Sequence, residues 1–298
     1  MAENRKTNPE SSFSKTSQTL LGKMNPCILC PRNCGVYRGK GEVGYCGIGE
    51  LPKVSSVGAH FGEESVLVGR GGSGTIFFAG CNLACIFCQN YDISHYRHGD
   101  QMSVEQLAQC MLELQNSGCS NINLVTPTHV VAAIAAALEL AKTKGLRIPI
   151  VYNSGGYDSV ETLKLLEGLI DIYMPDMKYS DAKIAYELSD AADYPQVNRA
   201  AVKEMHRQVG NLRTEKGIAT GGLLVRHLVL PNGLAGSFEI IEFLAEEISP
   251  STTINIMDQY RPCFKAFDNG KINRRPTSDE VESVRAYAIK KGLNVLDR

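Results

Sequence analysis

The chain has 298 residues, 43% of them hydrophobic and 21% charged, with 31 Lys and Arg against 32 Asp and Glu for a formal net charge of -1. That balance leaves no electrostatic footprint for nucleic acid or an anionic membrane surface, and the length suffices for one large core with an appendage. No apolar run approaches the roughly 20 residues that span a bilayer, and residues 1–24 lack a secretory apolar core, so the expected location is the cytoplasm, with no membrane partner.

Residues 1–22 are rich in Ser, Thr, Asn, Gln, Glu and Lys, with Phe13, Leu20 and Leu21 the large apolar residues. Such a stretch buries too little surface to order itself, so a flexible tail is expected. A cysteine-rich extension over 23–70 follows. Cys27, Cys30, Cys34 and Cys46 form a C-x2-C-x3-C-x11-C pattern with glycines between them. Four soft ligands complete a tetrahedral zinc site or a closed iron–sulfur cluster; the spacing does not decide between them, and zinc is the first expectation. A segment with so little core of its own is expected to depend on its metal to fold. Seven of the ten cysteines fall in two tight clusters, which in a chain this long points to metal binding in a reducing compartment rather than to disulfides. Cys110, Cys119 and Cys263 stand apart and read as small buried hydrophobes, Cys263 being the one beside an expected active-site strand. Residues 52–70 read as a hairpin or extended segment along the main domain, with His60, Glu63 and Glu64 either within reach of a substrate or on a solvated turn.

A core domain over 71–298 opens with an apolar strand at 75–79, and the run Cys81-Asn82-Leu83-Ala84-Cys85-Ile86-Phe87-Cys88 follows directly. Three thiolates in eight residues can converge on one metal centre, and on a cubane of four irons they leave one iron open. A zinc knuckle completed by His95 or His98 is the competing reading.

This spacing, with an aromatic residue before the last cysteine and the flanking run Gly72-Ser73-Gly74-Thr75-Ile76-Phe77-Phe78-Ala79-Gly80, resembles the radical S-adenosylmethionine (SAM) superfamily, and within it the branch related to pyruvate formate-lyase activating enzyme. The resemblance implies a [4Fe-4S] cluster on Cys81, Cys85 and Cys88, SAM bound to the open iron, and reduced flavodoxin or ferredoxin as electron donor. It also implies reductive cleavage of SAM to a 5′-deoxyadenosyl radical that abstracts hydrogen.

Further strands are expected at 121–125, 148–153, 170–176, 223–230 and 253–257, and helices at 103–117, 129–144, 158–167, 181–190, 198–209, 236–247 and 277–291. The βα alternation predicts an α/β fold, a partial (β/α)6 TIM-type barrel, which the resemblance also implies. All strand carboxyl ends then share one face with the cysteine loop. After the second strand the family often has Gly-Gly-Glu, whose backbone binds the amino group of SAM; here Thr126, Pro127 and Thr128 hold that position, and His129 either starts a helix or serves the site. Asn153 and Ser154 end the third strand, where small polar groups can bond ribose hydroxyls. Asp176 and Lys178 end the fourth, matching an Asp and a Lys of the family motif or forming a structural ion pair. Arg226 lies in the fifth; its family counterpart lies near the SAM carboxylate, and a packing bridge to Asp176 or Asp258 is the competing view. By alternation, His227 faces the other way. Gln259 or Tyr260 stands where the activase pattern has a cofactor-contacting histidine. Tyr194 to Arg199 reads as a lid or substrate contact, or equally as a solvent-facing helix.

Three functions follow as expectations: an activase acting on a glycyl-radical enzyme, a radical SAM enzyme modifying a small molecule or peptide, or a non-enzymatic zinc-dependent scaffold or adaptor.

Overall fold

The computed structural model describes residues 13–296. Its ten strands are β1 (Lys53–His60), β2 (Ser73–Phe78), β3 (Asp100–Gln101), β4 (Ile122–Val125), β5 (Ile150–Ser154), β6 (Ile172–Pro175), β7 (Arg213–Glu215), β8 (Ile218–Leu228), β9 (Thr253–Met257) and β10 (Asn294–Val295). Each expected strand is present, as β2, β4, β5, β6, β8 and β9, and these pair in that order with every neighbour parallel. Their near-continuous apolar runs are buried, as a sheet covered on both faces requires. β1 adds antiparallel to β2, β3 to β1, and β10 parallel to β9, so the sheet is an open, α/β, partial barrel. β8 begins five residues before its expected start because β7 folds onto it through Lys216 and Gly217, both at positive φ, the two-residue turn that suits the twist of a hairpin.

The helices are α1 (Lys15–Gly22), α2 (Ser65–Val68), α3 (Tyr91–Ser94), α4 (Val104–Asn116), α5 (Val131–Thr143), α6 (Val160–Leu165), α7 (Ala182–Ser189), α8 (Tyr194–Val209), α9 (Ser237–Phe243) and α10 (Ser278–Lys290). α4 starts at a capping box of Ser103 and Gln106. α10 starts at a box of Thr277 and Glu280, one residue ahead of the weak Ser278-x-x-Val281 frame.

The expected flexible tail is corrected over part of its length. Residues 1–12 lie outside the described residues, but 15–22 form α1, capped by the Ser14 hydroxyl. Ser17 donates to Glu139 of α5 at 2.8 Å, and Leu20 is wholly buried. A single apolar face docked on α5 orders a helix too short to persist alone. The cysteine-rich segment is likewise anchored by more than a metal: Met24, Leu29 and Ile48 join the main core with Ile76, Phe78 and Leu124.

A smaller core caps the carboxyl ends of the strands and positions the site. It gathers Leu83 and Phe87 of the cysteine loop with Tyr157, Tyr179, Tyr194 and Tyr260.

Candidate active site

β2 delivers the cysteine loop through Gly80, whose φ is +79°; a Cβ there would meet Ile48 at 2.6 Å and the Cys46 carbonyl at 2.8 Å. Backbone bonds then lash the loop to α7 and the 264–268 turn: Ala84 to Ser189, Ile86 to Leu188, and Lys265 to Ile86. Each thiol has hydrogen-bonding partners from a different place. The Leu83 N–H reaches Cys81 at 3.4 Å, the Ser189 hydroxyl donates to Cys85 at 3.0 Å, and the Ser94 hydroxyl lies 3.1 Å from Cys88. Burial pushes the Cys81 thiol up to about 12, with the neighbouring Cys85 adding to it and the Leu83 N–H opposing. Buried thiols of this kind ionise once a metal takes up their charge, so the donor set fits a cluster bound as thiolates. His95 does not complete a zinc knuckle. Its Nε2 lies 3.1 Å from the Cys85 carbonyl, its ring packs on Phe264, and burial keeps it neutral.

Facing the loop, Asp176 lies between two cations. Lys178 Nζ is 2.5 Å from one carboxylate oxygen, and Arg226 Nε and Nη2 are each 2.9 Å from the other. Burial alone would raise the Asp176 pKa, but the Arg226 and Lys178 charges outweigh it and hold the carboxyl below its ordinary range. For Lys178, burial opposes the charge and is outweighed by Asp176 and the Cys85 sulfur. The arrangement between Arg226 and Asp176 is thus the ion pair weighed as a packing bridge, and it also faces the working cleft. Cys85, Cys88, Asp176, Lys178, Arg226 and Gln259 line that cleft, about 210 Å³ in volume. Arg226, Met257 and Gln259 are shared with a polar chamber of about 430 Å³ walled by Glu63, Glu64 and Asn255. His60 lies on the exposed face of β1 instead. Tyr260 is structural, its hydroxyl donating to the Ile272 carbonyl at 2.6 Å.

Two expected ligand contacts are corrected. The hydroxyls of Thr128 and Ser154 are spent on Asp158, a buried carboxyl that accepts from both at 2.7 Å and from Tyr152 at 3.0 Å. Burial raises the Asp158 pKa and the three hydroxyls oppose it, so this cage sets the β4 and β5 loops rather than a ligand. Asn153 accepts the Thr126 N–H on its carbonyl at 2.8 Å. Thr126 itself sits at φ +61°, a conformation costly for a β-branched residue, at the strand end beside Pro127. His129 is buried behind the loop, its Nε2 2.8 Å from the Ala79 carbonyl, and burial lowers its pKa to about 4. His227 does face away from the cleft, between the Met177 carbonyl and Ser237.

The run from Tyr194 is neither lid nor solvent-facing helix. The Tyr194 hydroxyl lies 2.9 Å from the Gly155 carbonyl, 3.0 Å from that of Asp176 and 3.1 Å from the Lys178 N–H, and the Asn198 amide donates to the carbonyls of Gly156 and Asp176 at 2.9 Å. Both side chains are wholly buried and brace the ends of β5 and β6. Ser94, Asp158 and Ser189 carried no distinguishing signal in the sequence, because each acts through a partner brought in by the fold.

Residues 75–211 match the model of the Radical SAM superfamily. An uncharacterized protein of Methanocaldococcus jannaschii is 33% identical over 281 residues, covering 91% of this chain and 76% of that protein; a second from the same organism is 24% identical over 294 residues. Among solved structures, a radical SAM methyltransferase from Sphaerobacter thermophilus superposes with a TM-score of 0.52 at 14% identity, covering 76% of this chain and 66% of that one. Streptococcus suis SuiB bound to S-adenosylmethionine gives 0.51 at 13% identity, covering 72% of this chain and 47% of SuiB, so this chain spans about half of that structure. Among the described residues no helix is long and apolar enough to cross a membrane.

Proposed function

The chain belongs to the radical SAM superfamily, and on that premise we propose that it removes a hydrogen atom from a compact substrate, a small molecule or a peptide side chain, held in the polar chamber beside Arg226. Members of the superfamily use a [4Fe-4S] cluster and SAM. When bound, that pair supplies a 5′-deoxyadenosyl radical upon one-electron reduction, for which a reduced flavodoxin or ferredoxin is the donor.

The protein's share is binding and orientation. Cys81, Cys85 and Cys88 would hold the cluster. Lys178 and Arg226, fixed by Asp176, would offer two cations to the carboxylate of SAM. The Thr126 and Pro127 backbone would bind its amino group and Asn153 its ribose, and Gln259 edges the cleft. The observation that carries the reading is that Cys85 and Cys88 of the cysteine loop and the Asp176 ion triad line one cleft, which shares Arg226, Met257 and Gln259 with a second chamber.

Abstraction from a glycine of a glycyl-radical enzyme would require a partner's backbone to enter that chamber. Residues 62–65 wall it, with the Asn255 amide donating to Glu64 at 2.9 Å, which favours the compact substrate.

The test is anaerobic reconstitution with iron and sulfide, then reduction with dithionite in the presence of SAM. Wild type forms 5′-deoxyadenosine and methionine, and Cys85→Ala forms neither. Fully reconstituted wild type that leaves SAM intact overturns the reading and returns the scaffold alternative. A glycine-centred radical signal on adding a glycyl-radical enzyme overturns the compact-substrate choice in favour of the activase.

A further inference from the structure

We infer that the chamber beside Arg226 binds the ammonium group of an amine, held by Glu63 and Glu64. That this amine is the substrate rests on the function proposed above, whereas its binding does not.

The turn before α2 carries both carboxylates inward because α2 is anchored inside the barrel. Leu67 is wholly buried among Val151, Ile172, Met174 and Leu224, and the Asn121 amide donates to its carbonyl at 2.7 Å. Glu63 and Glu64, just ahead of this anchor, wall the chamber together with Asn255 of β9.

Two side chains here have bonding capacity that the protein leaves unused. The Asn255 amide donates to Glu64 Oε1 at 2.9 Å, but Glu64 Oε2 is buried without a partner. On β4, Ile122 and Leu124 belong to the main core beneath the helices, so by alternation Asn123 faces the barrel interior. It is wholly buried and lies near enough to Glu63 to favour the charged carboxylate, yet neither its amide nitrogen nor its oxygen makes a hydrogen bond of ordinary length. Buried polar groups are otherwise almost always paired.

The charge pattern calls for a cation. Asp176 faces Lys178 and Arg226, which leaves one positive charge on that triad, and the carboxylate of SAM would take it up. Among the described residues no Lys or Arg forms an ion pair with Glu63 or Glu64. Burial pushes the Glu63 carboxyl above its ordinary range, with Arg226 opposing and Glu64 adding to the rise. A cation between the carboxylates relieves both the burial and the repulsion.

An ammonium carries hydrogen-bond donors and no acceptor. It meets acceptors on this wall: the Glu63 carboxylate, the unpartnered Glu64 oxygen and the amide oxygen of Asn255. A carboxylate or phosphate is repelled there, and a neutral hydroxyl leaves the two negative charges uncompensated. Among the described residues no third carboxylate, His or Cys joins the pair as a metal ligand. Met257 and Gln259, shared with the cysteine-lined cleft, place the carbon chain of a bound amine next to the radical chemistry proposed above.

The test titrates n-butylammonium, with n-butanol and butyrate as its neutral and anionic counterparts, into the reconstituted but unreduced protein by ligand-observed NMR. Butylammonium binds saturably and the other two do not. Glu63→Gln combined with Glu64→Gln weakens the binding about tenfold or more, as loss of charge-assisted hydrogen bonds requires. Saturating SAM leaves the binding intact. Equal binding of butanol or butyrate overturns the inference, as does unchanged affinity in the double variant. Displacement by SAM assigns the carboxylates to the SAM site, and displacement by Mg²⁺ at lower concentration assigns them to a metal; either overturns it. Should the double variant not fold, the comparison of the three probes on wild type decides. SAM cleavage is scored separately: cleavage without ammonium preference overturns this inference alone, and ammonium binding with SAM left intact supports the site while overturning the proposed function.

Discussion

Arg226 and Asp176 join β8 to the end of β6 twice over: the guanidinium donates to the carboxylate at 2.9 Å, and their backbones form a parallel bridge. Lys178 occupies the other carboxylate oxygen, so one buried anion fixes two cations at the edge of the cleft. Position and charge of the proposed SAM-carboxylate contacts therefore depend on a residue that need not touch the ligand.

Asp176→Asn leaves two largely buried cations without their counter-charge, a change that costs about 3–5 kcal/mol when a buried pair is broken. The urea midpoint falls, and SAM cleavage falls with it. Adding Arg226→Met to that variant restores part of the midpoint but not the cleavage. Full recovery of cleavage in the double variant would show that Arg226 does not orient SAM.

Ser189→Ala removes the hydroxyl that donates to Cys85 at 3.0 Å. Hydrogen bonds to ligand sulfur raise a cluster's reduction potential, so the SAM-binding cluster becomes harder to reduce. A redox titration followed by electron paramagnetic resonance reads the shift. An unchanged or higher potential contradicts the assignment of this bond.

His227 is buried, and desolvation lowers its pKa from 6.5 to about 4; Asp176 and Lys178, the charges facing it, act in opposite directions. Below pH 6.5 the unfolded chain binds a proton that the folded chain refuses until about pH 4. Stability is therefore lost as pH falls through that window, by about 3 kcal/mol from this residue. Urea midpoints measured between pH 7.5 and 4.5 decline, and His227→Gln shows a shallower decline. Equal slopes would remove His227 from the account.

Thr277→Ala deletes the side chain that caps α10 from outside its first turn. The expected cost is about 1 kcal/mol, while Ser278→Ala, one residue inside, is neutral or stabilising by a few tenths because Ala is the better helix former. Thermal denaturation of the two variants checks the frame, and a larger effect from Ser278→Ala would reverse it.

The residues by themselves determined the element types and their order. Six short apolar runs separated by helical periodicity have one economical arrangement, a parallel sheet with its helices outside, and right-handed crossovers place every loop after a strand on one face. The cysteine spacing belongs to the same local level: Cys81, Cys85 and Cys88 lie within one turn of chain, so their convergence needs no distant partner. Elements whose order comes from a distant partner were not legible. α1 reads as tail because its one apolar face has meaning only once α5 is beside it.

The tertiary structure alone decided which polar groups remain free for a ligand. Thr128 and Ser154 look available at their strand ends, yet Asp158 claims both hydroxyls. Ser189 lies 104 positions from Cys85 and still donates to its sulfur. Tyr194 and Asn198 turn out to brace the site from within. The physical reason is common to all of these. A hydrogen bond is made at about 3 Å, and whether two groups far apart in sequence reach that separation is set by how strands stack and helices dock, not by the identity of either residue.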